Sequence, residues 1–422
     1  MQVVLNANKA SYVQNALVKG GTQELYYYVP PSDPNISKAN HELQPFIGFS
    51  GAPDNNTHTF NITRAGYHYL GRVKYTGTKT FALNESQTFS IFNMIRNVQW
   101  VSNGQPILNM DGEAFKAMVM NNTAPFQEHA HRYCRALNPL TERPIATAQA
   151  DNVQFVTYLP LFGSWYTTIE KALNTTELEQ IQVSITYKTF SESGMSVSPT
   201  IFNAKFENYT YMPDTETYNK MVAKDYASPI IMQCFNTFTE RRPIGVVFNA
   251  GATTRIEVIS EVVVPAYKTH IFVAKTNTQA TDPVFGCPLV PISAVSVAMG
   301  GDYYVSNYSK SMMNYEQAVR GNSCHTVGPT VTTTLTESIS TVGFNENQCI
   351  TIDWSLGCSR DEATGLASMA NLNKPVYSID VGPYTAPAGE NVGSYWVFLV
   401  HEYWNILQVQ PGTKTLAIVA AV

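Results

Sequence analysis

The sequence predicts an all-β chain of two successive sandwiches. Segments that alternate apolar and polar residues, the period of a half-buried strand, fill roughly 45–210 and again roughly 225–410. Turn-rich breaks separate them at the short intervals of sandwiches and barrels. The 422 residues are too many for one ordinary sandwich and comfortable for two.

Residues 1–25 read as an arm, with a short helix at 7–18 ended by Gly20 and Gly21. Residues 26–29 then run extended until Pro30, Pro31 and Pro34. The first strand series opens at Thr59, where Phe60 and Ile62 alternate with Asn61 and Thr63. Past Ala65 and Gly66, one face carries Tyr67, Tyr69, Val73 and Tyr75, and the other His68, Arg72 and Lys74. Asn103 and Gly104, between the apolar runs 98–101 and 106–108, are a two-residue hairpin signal. Residues 167–178 read as a helix inserted between strands. Ile181, Val183, Ile185 and Tyr187 alternate without error. Phe202, Ala204 and Phe206 do the same, and the phase then slips to Tyr209 and Tyr211, as at a bulge.

Residues 212–226, with Pro213 and little apolar periodicity, join the halves. The expected division is an arm at 1–25, a first sandwich at 26–222 and a second at 223–422. In the second series Ile256, Val258, Val262 and Val264 oppose Arg255, Glu257 and Glu261 until Pro265. Strands follow at 271–274, 350–354 and 376–381. The last, 395–406, is apolar on both faces and belongs in the centre of a sheet. One helix interrupts this series. Tyr308, Met312, Tyr315 and Val319 form its apolar stripe, Ser306 caps its start and Gly321 its end. Residues 109–150, 275–290 and 321–347 read as long polar loops, a common place for interaction.

Composition narrows the function. Charged residues make up 14% of the chain and apolar ones 44%. Low charge suits extensive burial against partners, and equally a polar-surfaced secreted or viral β-protein. The net charge of −5 and the absence of a Lys/Arg run argue against wrapping nucleic acid; Arg241 and Arg242 read as a solvated loop. The cysteines, Cys134, Cys234, Cys287, Cys324, Cys349 and Cys358, are too sparse for a disulfide scaffold and read as free thiols. The first 17 residues lack a secretory signal's apolar core, and no apolar run approaches 18 residues. The N-x-S/T triplets, at Asn35, Asn55 and six further positions, read as by-products of an Asn/Thr-rich composition.

No motif reaches catalytic or metal-binding quality, so no catalytic, cofactor or metal residue is expected, and no enzyme. His129, His131 and Cys134 space three metal-ligating types, crowded by Glu128 and Arg132, and read as a polar loop. Cys324 and His325 are adjacent, and neighbours seldom point at each other. His41-Glu42 and His401-Glu402 lack the second histidine of a zinc-peptidase helix, and His401-Glu402 lies within a strand. Gly48-Phe49-Ser50-Gly51 lacks the spacing of a nucleophile elbow. The 24 tyrosines read as core and interface packing rather than a stacking surface for sugars or bases.

Several stretches carry a resemblance: TFNITRAGYHYLGRVKY at 59–75, NVQWVSNGQPI at 97–107 with the helix-prone 112–120, and YLPLF at 158–162 before the strand at 181–187. KPVYSI at 374–379 and LVHEYWNI at 399–406 continue it in the second half. In their order and local character they resemble the double-jelly-roll major capsid proteins of tailless icosahedral viruses, especially those of membrane-containing bacteriophages. The resemblance implies two consecutive eight-stranded jelly rolls with short helices in inter-strand insertions. It implies homotrimers in which six jelly rolls surround a pseudo-sixfold axis and tile a capsid. Its implied partners are the chain itself, neighbouring capsomers, penton and minor capsid proteins and an internal viral membrane, without direct nucleic-acid binding. Its implied location is the virion, after synthesis in the host cytoplasm. The rival readings are a two-sandwich glycan-binding or host-attachment protein and a β-sandwich hydrolase with scattered residues.

Overall fold

The computed structural model describes residues 38–45, 55–62, 64, 66–81, 90–120, 133–143, 145, 149–161, 172–189, 201–212, 219–220, 223, 231–244, 252–262, 264–275, 289–319, 349–355, 374–383, 395–409 and 415–419. The expected arm and helix at 1–25 lie outside them, as do Gly321, the loop 321–347 and most of 275–290.

In chain order the first half forms β1 (Lys38–Pro45), β2 (Thr57–Asn61), β3 (Tyr67–Phe81), a 3₁₀ turn (Ile91–Asn93), β4 (Ile95–Ser102), β5 (Gln105–Asp111) and helix α1 (Gly112–Met120). It continues with β6 (Gln149–Pro160), β7 (Leu173–Asn174), β8 (Ile181–Tyr187) and β9 (Ile201–Met212). The second half forms β10 (Ile231–Pro243), β11 (Thr254–Ile259), β12 (Ala266–Lys275), β13 (Leu289–Val290), β14 (Ile292–Met299), β15 (Asp302–Ser309) and helix α2 (Lys310–Val319). It ends with β16 (Cys349–Asp353), β17 (Val376–Val381), β18 (Tyr395–Val409) and β19 (Leu416–Val419).

The strands form four sheets, ordered β1-β9-β3-β6, β2-β8-β4-β5, β10-β18-β12 with β16 beside β12, and β11-β17-β14-β15. None mixes strands of the two halves. With the two-residue β7 and β13 and the terminal β19 set aside, each half has eight strands. In both, one sheet runs first, eighth, third, sixth, and the other second, seventh, fourth, fifth. A helix follows the fifth strand in both. The repeat is therefore one of topology.

Alternation puts each sheet's inner residues into a core. Val73, Tyr75 and Phe206 meet Val98, Trp100, Val183 and Ile185 in the first sandwich. Ile271, Val273 and Leu399 meet Ile256, Val297, Tyr377 and Ile379 in the second. β18 lies centrally between β10 and β12, as its two apolar faces predict. The Asn103-Gly104 hairpin forms with φ of 46° and 78° at its two positions, and Gly300-Gly301 makes the equivalent turn at 63° and 96°.

Other expectations are corrected. The first strand of the series is β1, not the one at Thr59. Both β1 and β10 escaped notice because their polar residues obscure the alternation. The phase slip belongs to β3: the register skips Tyr69 between His68 and Leu70, while β9 pairs with β1 without interruption. This bulge turns His68, expected on the outer face, into the interior, where it is fully buried. Residues 172–178 are not helical. Leu173 and Asn174 pair with His68 and Tyr67, and Asn174 Oδ1 accepts from Thr176 N at 3.2 Å, closing a local turn. Residues 109–111, expected in a loop, complete β5, and the helix-prone 112–120 form α1 in place of the loop read across 109–150. Tyr308 belongs to β15, and α2 is capped by Ser309, whose Oγ accepts from Met312 N at 3.2 Å. Among the α2 side chains described, Met313 is buried, while Met312 and Tyr315 of the expected stripe are exposed.

Candidate functional site: the seam between the sandwiches

The most elaborate polar arrangement lies where β5 and α1 of the first half meet β10 of the second. β5 delivers Asn109 and Asp111 to the contact. Asn109 N donates to Asn236 Oδ1 at 3.2 Å, and Thr237 Oγ1 donates to Asn109 O at 3.2 Å. Asp111 caps α1, its Oδ1 accepting from Ala114 N at 2.8 Å. The same oxygen accepts from Thr239 Oγ1 at 3.0 Å. Arg241 Nη2 reaches Asp111 Oδ2 at 3.4 Å and Glu113 Oε2 at 2.8 Å, and Lys188 Nζ donates to Glu113 Oε1 at 3.0 Å. Arg241 and Arg242, expected in a solvated loop, are thus strand residues, and Arg241 ties the halves together.

Charge is distributed unevenly here. Burial and the nearby Glu113 push the Asp111 carboxyl up. Burial would also raise Glu113, but Lys188, Lys116 and Arg241 outweigh it and hold that carboxyl down. Asp111 therefore bears the electrostatic cost of the pair.

Below the polar layer is a shared apolar core. Residues 112–118 of α1 are all buried, and Phe115 stacks with Phe92 at 6.2 Å. One continuous cluster joins Phe115 and Met118 to Phe272, Phe398, Val400 and Trp404 on the facing sheet. Phe272 stacks on Phe398 at 4.9 Å and Tyr267 on Trp404 at 4.7 Å. The apolar face of β18 is thus closed by the other half of the chain, and this cluster makes the two sandwiches one packed body.

A hydrogen-bonded relay is buried on the same sheet. Tyr267 OH donates to Glu402 Oε2, and Glu402 Oε1 lies 2.5 Å from His270 Nε2. His270 Nδ1 lies 2.8 Å from Thr351 Oγ1. On the opposite face His401 Nδ1 lies 3.0 Å from Thr269 Oγ1, and its Nε2 lies 4.0 Å from Glu240 Oε2. Burial pushes His401 below the usual histidine range, so the neutral ring is favoured. His270, His401 and Glu402 are wholly buried, which withholds them from a solvent-borne substrate; His270 and Glu402 have the geometry of satisfied core polarity, whereas His401 Nε2 has no hydrogen-bond partner within reach.

His401-Glu402 thus sits in a strand as expected, but its two side chains serve opposite faces. Sequence reading missed the relay because Glu402 is 132 residues from His270 and 135 from Tyr267. Of the expected polar loop at 129–134, Cys134 is a buried free thiol, while His129 and His131 lie outside the described residues; Cys349 is also buried. Cys324, His325 and the Gly48-Gly51 stretch also lie outside. His41-Glu42 falls in β1. No group of three or more His, Cys, Asp or Glu able to hold a metal occurs among the described residues. No helix among them is long and apolar enough to cross a membrane.

No protein-family model and no curated protein matches the chain. Solved structures do. A chain of the PBCV-1 virus capsid aligns with a TM-score of 0.63 at 12% identity, covering 91% of this chain and 97% of that one. A chain of the Sputnik virophage aligns with a TM-score of 0.60 at 12% identity, covering 93% and 90%. The mavirus major capsid protein aligns at 0.54 with 13% identity, covering 93% and 92%. The fold is a double jelly roll. Each jelly roll has the same eight-strand order, and the seam joins the double jelly roll through one apolar core and the Asp111–Glu113–Arg241 cluster. The expected fold class is borne out.

Proposed function

We propose that this chain is the major capsid protein of an icosahedral virus, assembling as a homotrimer whose six jelly rolls surround a pseudo-sixfold axis. The observation that carries this reading is the repeat: two jelly rolls of one strand order, locked by a buried seam, make a single chain supply two equivalent wedges of a ring. Alignment over nine-tenths of the mavirus major capsid protein supports it. The proposed division is an arm at 1–25 and jelly rolls at 26–222 and 223–422. The role is structural rather than enzymatic. The capsomer meets its neighbours, penton and minor capsid proteins and an internal membrane, and the mature location is the virion shell, after synthesis in the host cytoplasm.

Sedimentation and negative-stain imaging of the purified protein test this. The expected particle is a trimer with a hexagonal outline. A stable monomer at assembly concentrations sinks the reading, and glycan-array binding by that monomer would favour an attachment protein.

A further inference from the structure

Asp353, Lys268 and Glu402 stand side by side across three strands. Lys268 of β12 lies directly opposite Asp353 of β16 on one flank and Glu402 of β18 on the other. Residues paired this way share a face of the sheet, here the one that carries Phe272 and Phe398 into the core shared with the first half. The Lys268 and Asp353 side chains are 8% and 2% exposed. Burying an ammonium and a carboxylate is costly unless they bond directly. These two do not: Lys268 Nζ stands 3.9 Å from Asp353 Oδ2, beyond hydrogen-bonding distance, and Oδ2 accepts no hydrogen bond among the described residues.

The other carboxyl oxygen is held. Asp353 Oδ1 accepts from Ser355 N at 3.0 Å and from Ser355 Oγ at 2.5 Å. Two donors on one oxygen draw charge onto it and open the carboxyl carbon to a nucleophile, as in the stabilisation of a tetrahedral oxyanion. The nucleophile beside it is the Lys268 amine, 5.8 Å from the centre of the Tyr267 ring. The hydroxyl of that ring donates to Glu402.

We propose that Lys268 and Asp353 join as an intramolecular amide, a covalent cross-link between β12 and β16. The Nζ–Cγ bond forms and the Cγ–Oδ2 bond breaks. The ammonium carries three protons and the amide nitrogen keeps one. The other two leave with Oδ2 as water, so the ion pair converts to amide and water with no further reactant. Glu402, beside the amine on β18, passes a proton from the nitrogen to the leaving oxygen. The sheet register replaces a bimolecular encounter by proximity, and burial withholds the water that would reverse the bond. The product is neutral, which removes the cost of two buried charges. The bond closes a loop that contains β13, β14, β15 and α2. It is independent of the capsid reading.

The intact mass of the purified full chain, measured under denaturing conditions, tests this. The expected mass is that of the sequence less one water, and protease digestion should yield one peptide joining the Lys268 and Asp353 segments. Lys268→Arg and Asp353→Ala should each keep the full mass of their sequences. Asp353→Asn should close the same bond with ammonia as the leaving group and reach the wild-type product mass. Folded Glu402→Gln should convert roughly a hundredfold more slowly. A wild type at full mass overturns the cross-link and leaves an ordinary buried ion pair. Water lost from Lys268→Arg or Asp353→Ala overturns the assignment to this pair, and an unchanged rate in Glu402→Gln overturns that residue's part.

Discussion

A Cβ placed on Gly112 would stand 2.2 Å from the Ile95 carbonyl oxygen. The start of α1 therefore lies against the backbone of β4, and only a residue without a side chain fits. Gly112→Ala forces backbone to move and is expected to cost about 3 kcal/mol in denaturant unfolding, the upper part of the overpacking range. Gly104 is the contrast. It has open space around it but φ of +78°, so Gly104→Ala should cost only about 1 kcal/mol of conformational strain.

The ion pair across the seam should be measurable yet modest. Arg241 is 45% exposed at its side chain, so water screens its attraction to Glu113. A double-mutant cycle of Arg241→Ala and Glu113→Gln should return a coupling of about 1 kcal/mol. Lys188→Ala should add to the loss rather than replace it, because Lys188 uses the other carboxylate oxygen of Glu113.

Glu402 should matter far more. Its carboxylate is wholly buried and satisfied by Tyr267 and His270. Glu402→Ala leaves those two groups buried without their acceptor and is expected to cost roughly 3–5 kcal/mol in equilibrium unfolding. A loss below 1 kcal/mol would show that the relay is not formed.

Acid should destabilise the fold through His58. Burial brings its pKa down from 6.5 to about 4, with Nδ1 3.0 Å from the Tyr187 hydroxyl. Between those values the unfolded chain binds the proton and the folded chain does not. The stabilisation is full above pH 6.5 and is lost as pH falls toward 4, by roughly 3 kcal/mol. His401, also pushed down, acts in the same sense. Asp111, pushed up, acts oppositely over the carboxylate range. Melting temperatures from pH 7 to pH 4 should fall less steeply for His58→Gln than for the wild type; equal slopes would refute the assignment.

Local pattern made part of this legible. β8 and β17 appear in the sequence because their alternation reports one buried face, and their burial follows it residue by residue. The hairpin at Asn103 and Gly104 was legible because its positive φ values favour those residue types. β10 was not, since Asn236, Thr237, Thr239 and Arg241 look solvated in the sequence but are engaged by the other half of the chain. α2 misled for the opposite reason: an apolar stripe normally faces the chain's own core, whereas here Met312 and Tyr315 face out.

By itself the sequence determined the all-β class, the doubling and the central place of β18, because alternation and turn chemistry act between near neighbours. Only the tertiary structure decided that both halves share one strand order, that Glu402 finds His270 and Tyr267, and that Arg241 of one half reaches Glu113 of the other. Those features depend on residues more than a hundred positions apart, and only the packing of one sheet on another brings them together.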